Sequence, residues 1–120
     1  MNIEQLRDYC LSKKHVTEHF PFDDDVLVFK VLNKMFVLTS LKKWEEGDHF
    51  INLKCNPDYA QELREEFESI KTGWHMNKKL WNSVYIHEGD LKPKFILELI
   101  DHSYDMVFKG IPKKIKDNLK

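Results

Sequence analysis

The sequence contains very little arginine: of its 19 Lys and Arg residues, only Arg7 and Arg64 are arginines. The planar guanidinium group makes the paired hydrogen bonds that read guanine bases and bind carboxylates, so this scarcity disfavours sequence-specific DNA reading. The formal net charge is −1, so the charge of the whole chain steers it neither towards nucleic acid nor away from it. Any contact with DNA is therefore expected to come from lysines and to be directed at the backbone.

Cysteine and long apolar runs are also scarce. Cys10 and Cys55 are the only cysteines, and they form neither a CxxC pair nor a disulfide framework. No segment approaches the roughly 18 apolar residues that a membrane span needs. The first residues, MNIEQLRDYC, lack the apolar core of a signal peptide. These features predict a cytoplasmic protein with no membrane partner.

The composition and the apolar spacing predict one α+β domain over residues 1–120. Hydrophobic residues make up 42% of the chain and charged residues 32%, which is typical of a globular protein. Helical spacing predicts helices over about 3–14, 56–73 and 92–109, and strand patterns cover VLVFKV, MFVLTSL, HFINLKC and SVYIH. The order α-β-β-β-α-β-α predicts a two-layer sandwich, with an antiparallel sheet of about four strands covered on one face by helices. Residues 112–120 form a basic C-terminal tail.

Several local signals fix the ends of these elements. Asn2 and Gln5 form a variant capping box at the first helix. Asn33 suits the left-handed position of the LNK turn between the first two strands. Asn56 is the N-cap of the second helix, which Gly73 is expected to end after an apolar stripe at helical spacing.

Two acidic or histidine-rich motifs have an ordinary explanation. HVTEH at 15–19 matches the H-x-x-E-H zinc signature, which needs both imidazoles on one face of a helix. Pro21 follows almost at once, so a solvated helix end is the favoured interpretation. The carboxylates of 23–25 alternate in direction along an extended segment and converge poorly on one ion, so we expect a solvated turn. The sequence predicts no catalytic residue, no metal and no cofactor.

The segment GWHMNKKLWNSVYI at 73–86 is interpreted first as a corner of the fold. Gly73 can supply a turn, and Asn77 can cap a brief helical turn before the last strand. The aromatic and aliphatic residues can bury the corner. Lys78 and Lys79 would remain outside and available to a ligand.

The chain resembles the MmcQ/YjbR family of small bacterial proteins over nearly all of residues 1–111. The resemblance rests on FPFDDDVLVFKVLNKMFVL, INLKCNPDYAQELRE, WHMNKKLWNSVYI and LIDHSYDMVFKGI, and it implies a frataxin-like, "double wing" fold with DNA binding. One departure is TGWHM, where relatives commonly have a proline near the glycine. The family pattern marks these positions: Phe22, Lys34, Phe36, Lys54, Pro57, His75, Asn77, Lys78, Trp81, His102, Ser103 and Tyr104.

The leading hypothesis is a non-enzymatic module that binds double-stranded DNA weakly and through its backbone. The turns LNK and KKWEEGD would be the two wings. The lysines expected to contact phosphates are Lys42, Lys43, Lys78 and Lys79, with Lys113 and Lys114 of the tail. Acidic residues at the second tip count against this hypothesis, and a scatter of the lysines over several faces would rule it out.

The alternative hypothesis is a protein-interaction or adaptor domain. Phe50, Asn52 and Lys54 lie opposite the predicted core face, and Trp44 lies at a predicted hairpin tip, so these residues would form an exposed binding surface. An iron site is a third possibility, but the carboxylates of QELREEFE are interleaved with Arg64 and suit a solvated helix face. We expect a monomer.

Overall fold

The computed structural model describes residues 1–119 and has the predicted α+β class. Asn2 caps the first helix by accepting a hydrogen bond from the Gln5 N–H, while the Gln5 side chain accepts one from the Asn2 N–H, which confirms the capping box. The elements are α1 (Ile3–Leu11), β1 (Val16–His19), β2 (Val26–Val31), β3 (Lys34–Ser40), α2 (Leu41–Glu45), β4 (Phe50–Lys54), α3 (Pro57–Glu66), β5 (Ile70–Thr72), β6 (Trp81–Tyr85), α4 (Pro93–Lys109) and α5 (Lys113–Asp117).

Within residues 1–119 the sheet has six strands, not about four, in the order β1-β2-β3-β4-β6-β5, and every neighbouring pair is antiparallel. The two additional strands lie at the edges of the sheet. The predicted helix end at 15–19 is wrong, because Val16–His19 is the edge strand β1 and pairs with β2. His19 and Glu18 therefore point to opposite faces of the sheet, and the helical zinc geometry does not form.

The second predicted helix is shorter than expected. Asn56 and Pro57 begin α3 as predicted, but the helix ends at Glu66, and Phe67 has extended backbone angles. Ile70–Thr72 then form β5, which pairs with β6. Ile70 fits a helical apolar stripe by its spacing, yet it reaches the core from a strand. A short strand at a sheet edge satisfies its backbone groups by pairing, which local propensity does not show.

The helices cover one face of the sheet. Helix α4 packs across β2, β3 and β4, α1 packs on β1, and α3 packs against β5 and β6. The core lies between these helices and the inward residues of the strands, and its largest fully buried side chains include Phe29, Phe36, Ile51 and Ile100. Within residues 1–119 no helix has both the length and the apolar character needed to cross a membrane.

The segment 73–80 covers the centre of the opposite face. The Trp74 N–H donates to Ser83 Oγ at 2.8 Å, and Asn52 Nδ2 donates to the Trp74 carbonyl at 2.8 Å. Asn52 is therefore 1% exposed, and Phe50, whose ring lies 5.4 Å from that of Trp74, is also 1% exposed. The predicted exposure of Phe50 and Asn52 is wrong, because a polar network holds this segment over them.

The connection KKWEEGD is a short helix, α2, followed by a turn, and it is not an open hairpin tip. Ser40 caps α2 by accepting from the Lys43 N–H. The Trp44 side chain is 7% exposed, and its Nε1 donates to Thr39 Oγ1 at 2.8 Å and to the Phe50 carbonyl at 3.1 Å. Trp44 is therefore a core residue, and the prediction that it is exposed at a tip is wrong.

Candidate nucleic-acid interface

The antiparallel sheet sorts its connections between two ends. In a meander, consecutive connections lie at opposite ends of the strands, because each strand reverses the direction of the previous one. The LNK turn after β2 therefore lies at one end, and the α2 connection after β3 lies at the other. The register extends this assignment to β4 and β6. Lys54 pairs with Trp81 at the end that contains the LNK turn, and Phe50 pairs with Tyr85 at the end that contains α2.

Lysines collect at the end that contains the LNK turn, which we call the basic end. Lys14 precedes β1, Lys34 begins β3, Lys54 ends β4, and Lys78 and Lys79 precede β6. Helix α4 reaches this end at Ser103, and the last lysines follow it in the chain. The basic end comprises Lys13, Lys14, Lys34, Lys54, Lys78, Lys79, Lys109, Lys113 and Lys114, accompanied by Asp58, Asp101 and Asp105.

Carboxylates collect at the other end of the strands, which we call the acidic end. It is formed by the start of α1, the segment before β2, the connection from β3 to β4 and the segment after β6. It comprises Glu4, Asp23, Asp24, Asp25, Glu45, Glu46, Asp48, Glu88 and Asp90, accompanied by Lys42, Lys43, Lys92 and Lys94. The chain is thus strongly polarised although its formal net charge is only −1.

The structure does not bring all the predicted lysines together. Lys78 and Lys79 are exposed at the basic end, and Lys113 and Lys114 are exposed on α5, which follows α4 from that end. Lys42 and Lys43 lie at the acidic end, beyond the full length of β4. Since β4 has five residues at about 3.3 Å each, roughly 16 Å of strand separates the two clusters. The two lysine pairs cannot form one continuous surface.

The lysines of the basic end are almost all free of intramolecular ion pairs. Within residues 1–119, the ion pairs within 4.0 Å join Arg7 to Glu18 and Lys13 to Asp101. The Lys13 ammonium also lies about 5 Å from the ring centroids of Tyr9 and Tyr104. Lys13 therefore has a structural role, while the other lysines of this end have no carboxylate partner among the described residues.

The α4 signature residues connect the helix to the basic end. Ser103, which is fully buried, accepts from the Lys54 N–H at 2.9 Å and donates to the Phe36 carbonyl at 2.6 Å. His102 Nε2 accepts from the Asn56 N–H at 3.2 Å, and the Tyr104 hydroxyl donates to the Lys14 carbonyl at 2.7 Å. Burial lowers the pKa of His102, which keeps the imidazole neutral and able to accept. These three side chains thus satisfy backbone groups where strands end.

The corner signature residues position Lys78 and Lys79. Asn77 Oδ1 accepts from the Lys79 and Leu80 N–H groups, as the predicted cap does. Trp81 is buried against Val28 and Leu38 on the face opposite the helices. A Cβ on Gly73 would lie 2.8 Å from Trp81 Cβ, so only glycine fits there without a shift. The two lysines therefore project from a fixed turn.

His75 is the exposed signature residue of this corner. Its φ is 55°, in the left-handed region that non-glycine residues rarely adopt. Its ring packs edge-on against Trp74, with ring centroids 4.3 Å apart. It lies at the edge of a cavity of about 260 Å³ that also contacts Phe22 and Met76. This volume is just below the usual range for small-molecule sites.

The two cysteine thiols are buried, and the described residues contain no cluster that could hold a metal ion. Burial raises the pKa of the Cys10 thiol to about 12 and that of the Cys55 thiol to about 11, so neither is a thiolate near neutral pH. Among residues 1–119, no three or more His, Cys, Asp or Glu side chains converge on a point where they could hold a metal ion. The arrangement instead presents ammonium groups on a rigid frame.

Lys14 and Lys54 belong to this surface but were not predicted as phosphate contacts. Lys34 lies in the LNK turn that was predicted as a wing, Lys54 was placed on the face expected for a protein partner, and Lys14 was not marked. The usable signal was their position at strand boundaries, because alternate strand ends of a meander share one end of the sheet. Reading that signal required the strand order, in which β6 lies beside β4.

The comparisons with known proteins agree with this fold and with the expected family. The model of the family described as YjbR matches residues 11–106. The chain belongs to the YjbR family. The YjbR-family relatives include YbdF of Escherichia coli O157:H7, described as uncharacterised, which is 38% identical over 111 residues and matches 92% of this chain and 88% of YbdF. YjbR of Escherichia coli K12, also described as uncharacterised, is 28% identical over 114 residues, and the match covers 95% of this chain and 93% of YjbR.

Two crystal structures of similar chains show the same architecture. Deinococcus radiodurans protein DR2400 superposes with a TM-score of 0.87 at 36% identity, covering 98% of this chain and 87% of DR2400. A Pseudomonas syringae protein superposes with a TM-score of 0.73 at 28% identity, covering 89% of this chain and 99% of that protein. The two similarities establish the fold over nearly the whole chain.

Proposed function

We propose that this YjbR-family protein is a non-enzymatic module that binds double-stranded DNA through its basic end. The observation that carries the proposal is that lysines outnumber carboxylates at one end of the sheet, whereas carboxylates outnumber lysines at the other. A duplex that approaches the basic end meets ammonium groups and avoids most of the carboxylates. The orientation in which the duplex approaches then depends on the local charge of the basic end and not on the net charge of −1.

The spacing of the lysines suits phosphate contacts. Lys34 begins β3, while Lys78 and Lys79 precede β6, and one strand, β4, lies between β3 and β6. Two strand spacings amount to about 10 Å, which is close to the roughly 12 Å width of the B-DNA major groove. The LNK turn and the 77–80 turn would thus be the two wings, in place of the LNK and KKWEEGD pair expected from the sequence.

The use of the charged groups within the fold also supports an anionic ligand. At the acidic end, Asp25 accepts from the Ser40 hydroxyl and the Lys42 N–H, and Asp90 accepts from the Ser69 N–H. These carboxylates have a structural use. Lys34, Lys78 and Lys79 have no such use among the described residues, so their charge is available to an anionic ligand. With only two arginines in the chain, contacts are expected to be sequence-independent.

The test is binding to a labelled random duplex over a salt series, measured by fluorescence anisotropy. The variant Lys78→Ala/Lys79→Ala has a matched control in Lys42→Ala/Lys43→Ala, which removes the same charge from the acidic end. We expect steeply salt-dependent binding by the wild type. The slope of log K against log salt is negative, and we expect its magnitude to decrease by about 2 in the first variant only, since each phosphate contact contributes about 0.9.

Two results would refute this proposal. Absence of binding at about 20 mM salt would remove DNA as the ligand, because electrostatic contacts are strongest there. Equal losses in the two variants would show an effect of net charge and not of the basic end.

A protein-interaction role remains the second candidate. The surface first expected for it is buried, since Phe50, Asn52 and Trp44 belong to the interior. A different apolar surface favours this candidate: Met1 and Phe20 are exposed beside a cavity of about 830 Å³ at the acidic end. A partner that binds there would leave the basic end free, so the two functions are separable by the variants above.

A further inference from the structure

The exposed large apolar side chains of residues 1–119 fall into separate groups. Phe20 is 48% exposed and Met1 37% exposed at the acidic end, while Ile115 is 43% exposed and Leu119 41% exposed in the C-terminal tail. Phe22 is exposed alone near the cavity beside His75. Exposed apolar groups that cluster at two sites mark surfaces of interaction more often than scattered ones do.

The first site is a groove at the acidic end, which we call the acidic groove. Its volume is about 830 Å³, and it lies between the start of α1, the end of β1 and α2. Leu27, Leu41 and Trp44 provide apolar walls, with Phe20 at the edge. Arg7 and Glu18 at the rim pair with each other, with Arg7 Nε donating to Glu18 Oε2 at 2.6 Å. The remaining rim carboxylates, from Glu4 and Glu45, make the groove acidic.

The second site has the complementary character. Ile115 of α5 and Leu119 are four residues apart, and the Leu119 N–H donates to the Lys116 carbonyl, so the helical turn continues past Asp117. Residues four apart on a helical turn lie on one side. Lys113 and Lys114 are exposed just before Ile115, and the Lys116 ammonium lies 5.0 Å from the centroid of the Phe108 ring. The tail is therefore a short basic segment with an uncovered apolar side.

The tail cannot reach the acidic groove of its own chain. Ile111, two residues before α5, is 3% exposed and belongs to the main core. It follows α4, which reaches the basic end at Ser103, whereas the groove lies at the opposite end of the strands. Only the tail of another molecule can place its basic apolar segment in the groove.

We propose that α5 of one copy of this chain docks in the acidic groove of a second copy, head to tail. Ile115 and Leu119 would cover Phe20 and Leu27, and the tail lysines would lie beside Glu4 and Glu45. Such an interface is heterologous, because each copy offers one tail and one groove, so association extends beyond a dimer unless it closes into a ring. A segment this short buries a small area, which predicts weak association. The proposal does not depend on DNA binding.

The first measurement is sedimentation velocity of the wild-type protein from about 10 µM to about 1 mM, a range that covers weak interfaces. We expect the average mass to rise with concentration and to pass that of a dimer. Added salt should reduce the rise, since charge complementarity contributes to the contact. A wild-type protein that stays monomeric over the whole range would overturn the proposal.

Paired variants test the geometry. Ile115→Glu removes the tail contact and Phe20→Glu removes the groove contact, and each alone should weaken association by more than about tenfold, because each buries an unpaired carboxylate. Mixed in equal amounts they should form a discrete dimer, since the intact tail of the Phe20→Glu chain fits the intact groove of the Ile115→Glu chain. A mixture that stays monomeric while the wild type associates would overturn the head-to-tail arrangement.

The chain offers a matched control for these variants. Phe22 is 64% exposed and lies two residues from Phe20, outside both the groove and the tail. Phe22→Glu should associate like the wild type. Circular dichroism of all three variants should show unchanged folding, since each changed side chain is at least 43% exposed. Loss of association in Phe22→Glu as well would refute the assignment to the groove.

Discussion

The basic end and the acidic end of the sheet are stabilised in different ways. At the basic end, neutral groups of α4 form long-range hydrogen bonds with strand ends, such as the bond from Ser103 to Phe36, 67 residues apart. At the acidic end, the carboxylates themselves accept the structural hydrogen bonds, as Asp23 does from the Asp25 and Val26 N–H groups. The difference is that the lysines of the basic end, apart from Lys13, form no ion pair within residues 1–119, whereas several carboxylates of the acidic end accept structural hydrogen bonds.

The largest expected effect breaks the long-range connection at the basic end. Ser103→Ala leaves the Lys54 N–H and the Phe36 carbonyl without their buried partner, and each such group costs about 1–2 kcal/mol. We expect urea denaturation to show a free energy of unfolding lower by about 2–4 kcal/mol.

Ser12→Ala is the matched control for that variant. Ser12 is exposed and donates to the Tyr9 carbonyl, where water can replace it. We expect a loss below about 0.5 kcal/mol. Equal losses in the two serine variants would contradict a special role for the buried hydroxyl.

The next effect concerns the acidic end. Trp44→Phe keeps an aromatic ring but removes the indole N–H that donates to Thr39 Oγ1 and the Phe50 carbonyl. We expect thermal denaturation to show a loss of about 1–2 kcal/mol, from the bonds lost in a buried site. Trp74→Phe, in a half-buried residue, should cost less. If it cost more, the segment 73–80 and not α2 would be the more important support of Phe50.

The pH dependence should also distinguish the ends. The Ser40 hydroxyl, and then the Lys42 N–H, hold the pKa of Asp25 below its ordinary value of 3.8. Since the pKa is depressed in the folded state, this stabilisation is present above about pH 4 and is lost as pH falls through the folded pKa. Because Asp25 is near the surface, we expect about 0.5 kcal/mol at most.

The measurement is the free energy of unfolding from pH 6 to pH 2 for the wild type and Asp25→Asn. The wild type should lose more stability than the variant over this range. Asp24→Asn is the control, because Asp24 accepts no side-chain hydrogen bond from residues 1–119. Identical profiles for the wild type and Asp25→Asn would show that the Ser40 contact does not favour the charged form.

The smallest expected effect is on the stability of the lysine variants. Lys78→Ala/Lys79→Ala and Lys42→Ala/Lys43→Ala should each change the free energy of unfolding by less than about 0.5 kcal/mol, since these side chains lie at the surface and have no ion pair within residues 1–119. Chemical denaturation measures this directly. A larger loss in Lys78→Ala/Lys79→Ala would mean that those lysines stabilise the corner.

Local signals predicted much of the fold correctly. The capping box at Asn2, the left-handed Asn33 with φ of 70°, and the Asn56–Pro57 helix start are all confirmed. Each depends on residues within four positions of one another. The short strand β5 was missed, because a three-residue strand leaves too little pattern and its apolar residues fit a helical stripe equally well.

The sequence predicted the candidate site only in part. It indicated that Lys78 and Lys79 would project from a corner, and they do. It also grouped them with Lys42 and Lys43, because all four lie at predicted loops. Which turns share an end depends on the direction of each strand and on β6 pairing with β4, and neither is a local property.

The sequence by itself determined the class of the fold, its family and the chemistry available for contacts, which is lysine with very little arginine. Tertiary structure alone decided at which end of the sheet each charged side chain lies. An antiparallel sheet places alternate connections at opposite ends, so a chain with a net charge of −1 becomes a molecule with one basic end and one acidic end. Tertiary structure also decided that Phe50, Asn52 and Trp44 are interior residues, because the segments that cover them come from elsewhere in the fold or fold back onto the sheet.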